Sequence, residues 1–368
     1  MAKKKAEERN KEYWVKRAEQ NLIDGEKTVL AYEKELRSLY KSTLKNIQTE
    51  IDAFYHKYAK DNKITLAEAR KRLNPKELKS FREQQELYLS EIERIGTANV
   101  QNYIDYLKNL SAKAYVSKLE ELQANVRYHI EKMTVGYEES FTELMEDNYQ
   151  DSYYKTMFDT HQRLGFGIDF AQPGGKLLQA AIKERWNGQN YSDRIWANKD
   201  KLIREINTVI PQAFVRGRNS RQLAVDMARK LDTSEYNAKR LLRTEINYIS
   251  NKGTIKAYKD SGLVEKYEYL ATLDNRTSDI CIEMDGKIIP LAEAQVGINL
   301  PPLHPNCRST TIPYFEPDEF DTPGDRVATD ENGKTFFVGK DVTYKEWATE
   351  HASGQYVKKK FEKITKMG

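Results

Sequence analysis

The sequence predicts an α+β fold that is predominantly α: long N-terminal helices, a further helical segment, then a small C-terminal β-containing domain. Three observations carry this. Apolar residues recur at three- and four-residue spacing through most of the first 262 positions. The apolar period drops to two at Val264. The chain is also polar, 32% charged against 39% hydrophobic, with a mean hydropathy of −0.79. That balance suits long charged helices with one apolar stripe better than a compact α/β enzyme.

Residues 1–22 are dense in Lys, Arg and Glu and read as a solvated helix or a frayed arm. Over 26–60, Val29, Leu30, Tyr32, Leu36, Leu39, Tyr40, Leu44, Ile47, Ile51 and Phe54 mark an amphipathic helix. Thr65 caps the next helix, with Glu68 three residues on in a capping-box pattern, and Pro75 opens another. Residues 80–132 keep helical spacing with few breakers, from Phe81 to Leu119, and read as long helices and antiparallel hairpins. Residues 133–175 are aromatic and loop-prone. Gly165, Gly167, Pro173, Gly174 and Gly175 mark a hinge between the halves. Leu202, Ile203, Ile206, Val209 and Ile210 share one face of a helix over 199–216, stopped or kinked by Pro211. Ser220 caps one helix. Thr233 caps another, which runs to Ser261-Gly262.

Val264 to Leu273 then alternates as a strand, with further short strands at Gly286–Leu291 and Arg308–Phe315. Beyond Pro317 the chain is acidic. Asn332-Gly333 is a tight-turn signal before Thr335-Phe336-Phe337-Val338, and Tyr344 to Lys366 reads as a short basic helix. The expected organisation is a helical arm or bundle over 1–160, a helical part over 161–262, a small β unit over 263–315 and a C-terminal tail over 316–368.

Charge narrows the function. Sixty basic and 56 acidic side chains give a net charge of only +4, too little for a general grip on nucleic acid, which needs local positive excess. Three short basic clusters stand out: Lys3-Lys4-Lys5, Arg70-Lys71-Arg72 and Lys358-Lys359-Lys360. The 23 tyrosines suit protein–protein packing, and tyrosine also stacks on single-stranded bases. Two cysteines make no disulfide framework. The N-terminus lacks an apolar h-region and no run of 18 apolar residues occurs, so neither secretion nor a membrane span is expected. A reducing, cytoplasm-like compartment fits. No dinucleotide fingerprint, P-loop or His-Glu-x-x-His is present, no set of residues fills catalytic roles, and no small-molecule substrate is indicated.

The most informative stretch is Asn299-Leu-Pro-Pro-Leu-His-Pro-Asn-Cys-Arg308. Pro301, Pro302 and Pro305 stiffen the backbone around His304, and Cys307 follows two residues later. The other cysteine, Cys281, lies shortly upstream. Cys281, His304 and Cys307 are ordinary Zn²⁺ ligand types, and structural zinc wants four. Asp274, Asp279 or a water is the expected fourth. The alternatives are a metal-free knuckle of two buried thiols and a hydrogen-bonded histidine, or a Cys281–Cys307 disulfide. Arg243 and Asn247 share a helical face, with Glu245 pointing elsewhere. Arg243 reads as a buried bridge to Asp274 or Asp285, with Arg276 and Arg308 joining the network, or else as a phosphate or carboxylate clamp.

Four motifs in order resemble one family: Asn190-Tyr-Ser-Asp-Arg-Ile-Trp196, Leu241-Leu-Arg-Thr-Glu-Ile-Asn247, Leu273-Asp-Asn-Arg-Thr-Ser-Asp-Ile-Cys281 continuing to Gly286, and the Pro-Pro-Leu-His-Pro-Asn-Cys-Arg stretch. Over roughly residues 185–315 the chain is similar to the phage Mu F-like minor head proteins of tailed bacteriophages, the phage head morphogenesis family. The resemblance implies a structural minor capsid protein, not an enzyme, in the virion: capsid interior or portal-proximal, made in the host cytoplasm. It implies portal protein and major capsid or scaffold protein as partners, with DNA as a further one and no membrane at assembly. Some relatives carry a second cysteine where this chain has Ser278. A DNA-binding ejection protein that protects phage DNA is the alternative reading. A nuclease using His304, Arg243 and Glu245 is a third.

Overall fold

Helical periodicity turns into continuous helix through most of the chain. The computed structural model describes residues 2–95, 98–164, 175–316, 325–329 and 335–339. In order they form α1 (Ala2–Tyr58), α2 (Leu66–Ala69), α3 (Pro75–Ile95), α4 (Gln101–Ser111), α5 (Lys118–Leu164), α6 (Gly175–Lys183), α7 (Tyr191–Val215) and α8 (Ser220–Ser261). Then come β1 (Lys266–Leu270), α9 (Asp279–Met284), β2 (Ile288–Pro290), β3 (Thr310–Tyr314), β4 (Asp325–Thr329) and β5 (Thr335–Gly339). The fold is predominantly α with a small antiparallel sheet, as expected, and every named strand lies beyond residue 263. The 165–174 hinge signal, the Asn332-Gly333 turn and the Tyr344–Lys366 helix lie outside the described residues.

The chain divides into two compact units, each assembled from separated stretches. One comprises Met1–Leu30, Glu143–Asn190 and Arg240–Gly368; the other comprises Ala31–Thr142 and Tyr191–Lys239.

The second unit is helical. Its core includes Ile92, Tyr103, Leu107 and Tyr128, with Tyr88 stacked on Tyr128 at 3.6 Å between ring centroids. Reciprocal caps start its helices: Asn74 with Glu77, Ser117 with Glu120, and Asn219 with Gln222. Thr65 accepts from the Glu68 N–H at 3.2 Å, the cap read from the sequence. Lys199 is buried and pairs with the buried Glu131 at 3.1 Å, which also accepts from Arg127. Pro211 lies inside α7 without ending it. A proline has no N–H for the carbonyl four residues back, and here the Gln123 side chain donates to that carbonyl, Asn207 O, at 3.4 Å.

The first unit holds the three-stranded sheet, ordered β2-β1-β3 and antiparallel throughout. Tyr267 and Tyr269 on β1 are fully buried among Tyr258, Val264, Leu291, Leu300 and Ile312. Trp14 and Val15 join this core, and Trp14 packs 6.0 Å from Phe315. Of the solvated helix or frayed arm expected over 1–22, the helix forms, and the solvation is corrected at Trp14 and Val15. Tyr13-Trp14-Val15 is an apolar island among charges, and Arg17 on the same helix bonds Asp159 at 2.7 Å.

Three other expectations are corrected. Residues 133–164 are helix, not loop. Tyr137, Phe141, Met145, Tyr149, Tyr153 and Met157 recur every four residues and are all buried, so the aromatic richness is a helical stripe. Thr233 caps nothing: α8 passes through it unbroken, and its hydroxyl donates back to Arg229 O at 3.0 Å. The start of α8 is capped by Asn219 rather than Ser220. Within the first unit α5 and α8 meet at Tyr153, Met157 and Ala257.

Candidate functional site

His304-Pro305-Asn306-Cys307 forms a tight turn. The Cys307 N–H donates to His304 O at 3.1 Å, and Asn306 takes φ 61°. Proline at the second turn position and asparagine at the third are what a left-handed third residue favours. The turn sets the His304 and Cys307 side chains together. It is tied to α8 by the Asn306 N–H, which donates to Thr244 Oγ1 at 3.0 Å. Asn247 Nδ2 donates to Ser309 O at 2.9 Å, and Asn251 Oδ1 accepts from Thr310 Oγ1 at 3.3 Å. Thr244, Asn247 and Asn251 share one helical face and hold the loop that carries Cys307.

Cys281 comes from α9. Its sulfur lies 3.2 Å from His304 Nε2 and 3.7 Å from Cys307 Sγ. Both cysteines are buried and His304 is half-buried. The ligand atoms of all three lie within 4.8 Å of one another, so the group could hold a metal ion. Both thiols are free, with no bond between them. His304 Nδ1 donates to Pro305 O at 2.9 Å, which leaves Nε2 facing Cys281 and, at 2.7 Å, Ser278 Oγ. Tyr269 OH sits 3.3 Å from Cys281 Sγ. The hydrogen bond from Cys307, then that from His304, holds the Cys281 thiol well below the ordinary thiol range. The same Cys281 contact, then burial, pushes Cys307 up, and Cys281 raises His304.

Asp274 is not among the three. Arg308 forks onto it, with Nη2 at 2.6 Å from Oδ1 and Nη1 on Oδ2, and the Arg276 N–H caps it at 2.9 Å. Burial pushes the Asp274 carboxyl up, but the Arg308 fork outweighs this and holds it below the usual range. Asp285 Oδ1 accepts from the Ala271 N–H at 2.9 Å, tying α9 to the end of β1. Arg243 lies 4.0 Å from Glu26; the bridge to Asp274 foreseen for it is made by Arg308. Glu245 is buried and accepts from Trp186 Nε1 at 3.0 Å, while Trp186 stacks on Tyr248. A cleft of about 380 Å³ in the same unit is lined by Arg243, Asn247, Asp274, Arg276, Cys307 and Arg308 among others. Its charges are mixed, since Glu19, Glu26 and Asp159 line it as well as the arginines.

Reading the sequence missed Thr244 and Asn251 as loop anchors and Ser278 as the partner of His304. Three short polar residues at helical spacing through an otherwise apolar face was the available signal.

Comparison with known proteins follows the same region. Residues 204–312 match the family described as Phage Mu protein F like protein. The chain is 22% identical over 328 residues to the minor head protein GP7 of Bacillus phage SPP1, covering 86% of this chain and 91% of that protein. It is 21% identical over 210 residues to the NAD(+)–arginine ADP-ribosyltransferase EFV of Enterococcus faecalis, covering 52% of this chain and 43% of that protein. A third relative, an uncharacterized protein of Haemophilus influenzae, is 26% identical over 121 residues, a third of this chain and 27% of that protein. No solved structure matches the chain. The matched span runs from within α7 through α8, the Cys–His–Cys group and most of β3, and over it the chain is similar to the Phage Mu protein F like proteins.

Proposed function

We propose that this chain is a structural minor protein of a tailed-bacteriophage head, acting in head morphogenesis rather than catalysis. The observation that carries this is the near end-to-end likeness to a minor head protein, 91% of whose length is matched. The EFV match leaves more than half of that enzyme uncovered and brings no activity with it. In this reading the protein sits in the virion, in the capsid interior near the portal. It contacts portal and major capsid or scaffold protein, and it is made in the host cytoplasm. The N-terminal helices beyond Leu30 are the part that reaches those neighbours, since Trp14 and Val15 pack into the core of the sheet. Ejection with the DNA belongs to the same proposal.

Quantitative mass spectrometry of purified proheads and virions tests it. Low-copy presence in both, with capture of portal protein by the tagged chain, is expected. Absence from both overturns the reading.

A second reading, a DNA-binding ejection protein, draws on the exposed cluster Arg70, Lys71 and Arg72. Two of these are partly engaged: Lys71 bonds Glu68 at 2.6 Å, and the Arg72 guanidinium lies 3.8 Å over the Tyr115 ring. Duplex and single-stranded DNA binding measured across salt separates the readings, since counterion release gives a slope that grows with the phosphates neutralised. The nuclease reading draws no support from the site. Glu245 is buried beneath Trp186, and His304 Nε2 faces Cys281 and Ser278.

A further inference from the structure

We infer that Cys281, His304 and Cys307 form a three-ligand Zn²⁺ site whose fourth coordination position opens at Ser278. The argument is metric. A tetrahedral zinc with Zn–S near 2.3 Å and Zn–N near 2.0 Å sets its two sulfurs about 3.8 Å apart and sulfur to nitrogen about 3.5 Å. The two sulfurs here are 3.7 Å apart, and Cys281 Sγ to His304 Nε2 is 3.2 Å. A disulfide would need about 2.05 Å. The two thiols therefore stand at the edge length of a zinc tetrahedron.

The surroundings are those of a metal ligand set. His304 Nδ1 donates to the Pro305 carbonyl at 2.9 Å, which fixes the ring and leaves Nε2 as the ligand atom. Tyr269 OH at 3.3 Å supplies an outer-shell partner to the Cys281 sulfur. Two thiolates and an imidazole, largely buried, select a soft d¹⁰ ion over Mg²⁺ or Ca²⁺. The ligands come from α9 and from the turn before β3, so an ion would join two segments that chain-local hydrogen bonds do not.

The fourth position follows from Ser278. Its hydroxyl is 2.7 Å from His304 Nε2, on the atom a metal would occupy. Asp274 is committed to Arg308. A hydroxyl is a weak zinc ligand, so the position falls to Ser278 or to water. A thiol at 278 would stand within reach of the same ion and complete a Cys₃His set.

The test uses the full-length chain, purified under reducing conditions without chelator and titrated with Zn²⁺ against a chromophoric chelator. Co²⁺ is the spectroscopic substitute. One ion per chain is expected, with a thiolate-to-cobalt charge-transfer band. Cys281→Ser and Cys307→Ser should each weaken binding by more than about 100-fold, beyond the 10- to 100-fold typical of outer-shell partners. Ser278→Cys, at a half-buried position, should tighten it by about 10-fold or more and shift the cobalt spectrum. Circular dichroism of each variant separates loss of ligand from loss of fold. The absence of a saturable site in the parent chain, or binding unchanged in both cysteine variants, would mean a thiol pair only and overturn the site. Unchanged affinity and spectrum in Ser278→Cys overturns the open position.

Discussion

Replacing Gly253 with alanine sets two physical effects against each other. Gly253 lies inside α8, where glycine costs about 1 kcal/mol relative to alanine. Local propensity alone therefore predicts that Gly253→Ala stabilises. Packing predicts the reverse. A Cβ built at 253 would stand 2.6 Å from the Tyr149 carbonyl oxygen and 3.3 Å from both Ser152 Cβ and the Tyr153 nitrogen. Carbon–oxygen contacts settle near about 3.3 Å, so the overlap is about 0.7 Å. The opposing atom is backbone of α5, and no rotamer change relieves it. The helices must part, which opens the contact of Tyr153 and Met157 with Ala257. Overpacking of this kind costs about 1–3 kcal/mol. With a backbone atom as the obstacle the upper end applies, and subtracting about 1 kcal/mol of helix gain leaves a net loss of about 2 kcal/mol. Gly136, inside α5, has nothing within 4 Å of its added Cβ, so Gly136→Ala should gain about 0.5–1 kcal/mol. Hydrogen exchange of peptides from α5 and α8 reads local opening directly, without assuming one cooperative transition for two units. Protection of both helices should fall in Gly253→Ala and hold or rise in Gly136→Ala. Equal or greater protection of α5 and α8 in Gly253→Ala would refute the close-contact account.

Other outcomes follow from single contacts. Asp274→Ala strips the Arg308 fork of its carboxylate and should cost about 1–3 kcal/mol, less than a wholly buried pair because a quarter of the Arg308 side chain remains exposed; denaturant midpoints in the variant and in Arg308→Ala check it. Glu91 is held below the usual carboxylate range by Lys132 and then Tyr128. A depressed carboxyl contributes stability above its unfolded pKa and loses it as pH falls through the folded one. Glu91→Gln should therefore cost under about 1 kcal/mol at neutral pH, and the deficit should close as pH falls through the lowered Glu91 range, beneath that of an ordinary carboxylate; a deficit independent of pH refutes the linkage.

Much of the fold was legible because its signals are local. The switch from helical spacing to alternation at Val264 marked the sheet, and Thr65-x-x-Glu68 marked a cap that forms as read. The failures have separate causes. Residues 133–164 were misread because aromatic content stood in for aromatic spacing, and the four-residue recurrence from Tyr137 to Met157 went uncounted. Thr233 was misread because a hydroxyl that starts a helix in one context donates to the previous turn in another. Trp14 and Val15 were hidden by the charges around them, since no local rule says that a basic segment packs on a sheet some 250 residues away.

The candidate site divides the same way. The convergence of His304 and Cys307 could be read from the chain, because Pro305 and Asn306 are the residues a tight turn with a left-handed third position prefers. What brings Cys281 to them is not local. It depends on Asp285 fastening α9 to the end of β1, and on Asp274 holding Arg308 one residue beyond Cys307. It also depends on Thr244, Asn247 and Asn251 holding the incoming strand against α8. The sequence shows these residues but not their pairing: it offers Arg243 as the bridge to Asp274 or Asp285, with Arg276 and Arg308 joining. The pairing was decided by position. Arg308 stands beside the knuckle it stabilises, whereas Arg243 faces Glu26 from the body of a long helix. In the proposed role the chain has to present a fixed surface to a larger assembly. In this unit that fixity comes from polar groups satisfied across 14 to 62 residues of sequence around the Cys–His–Cys group.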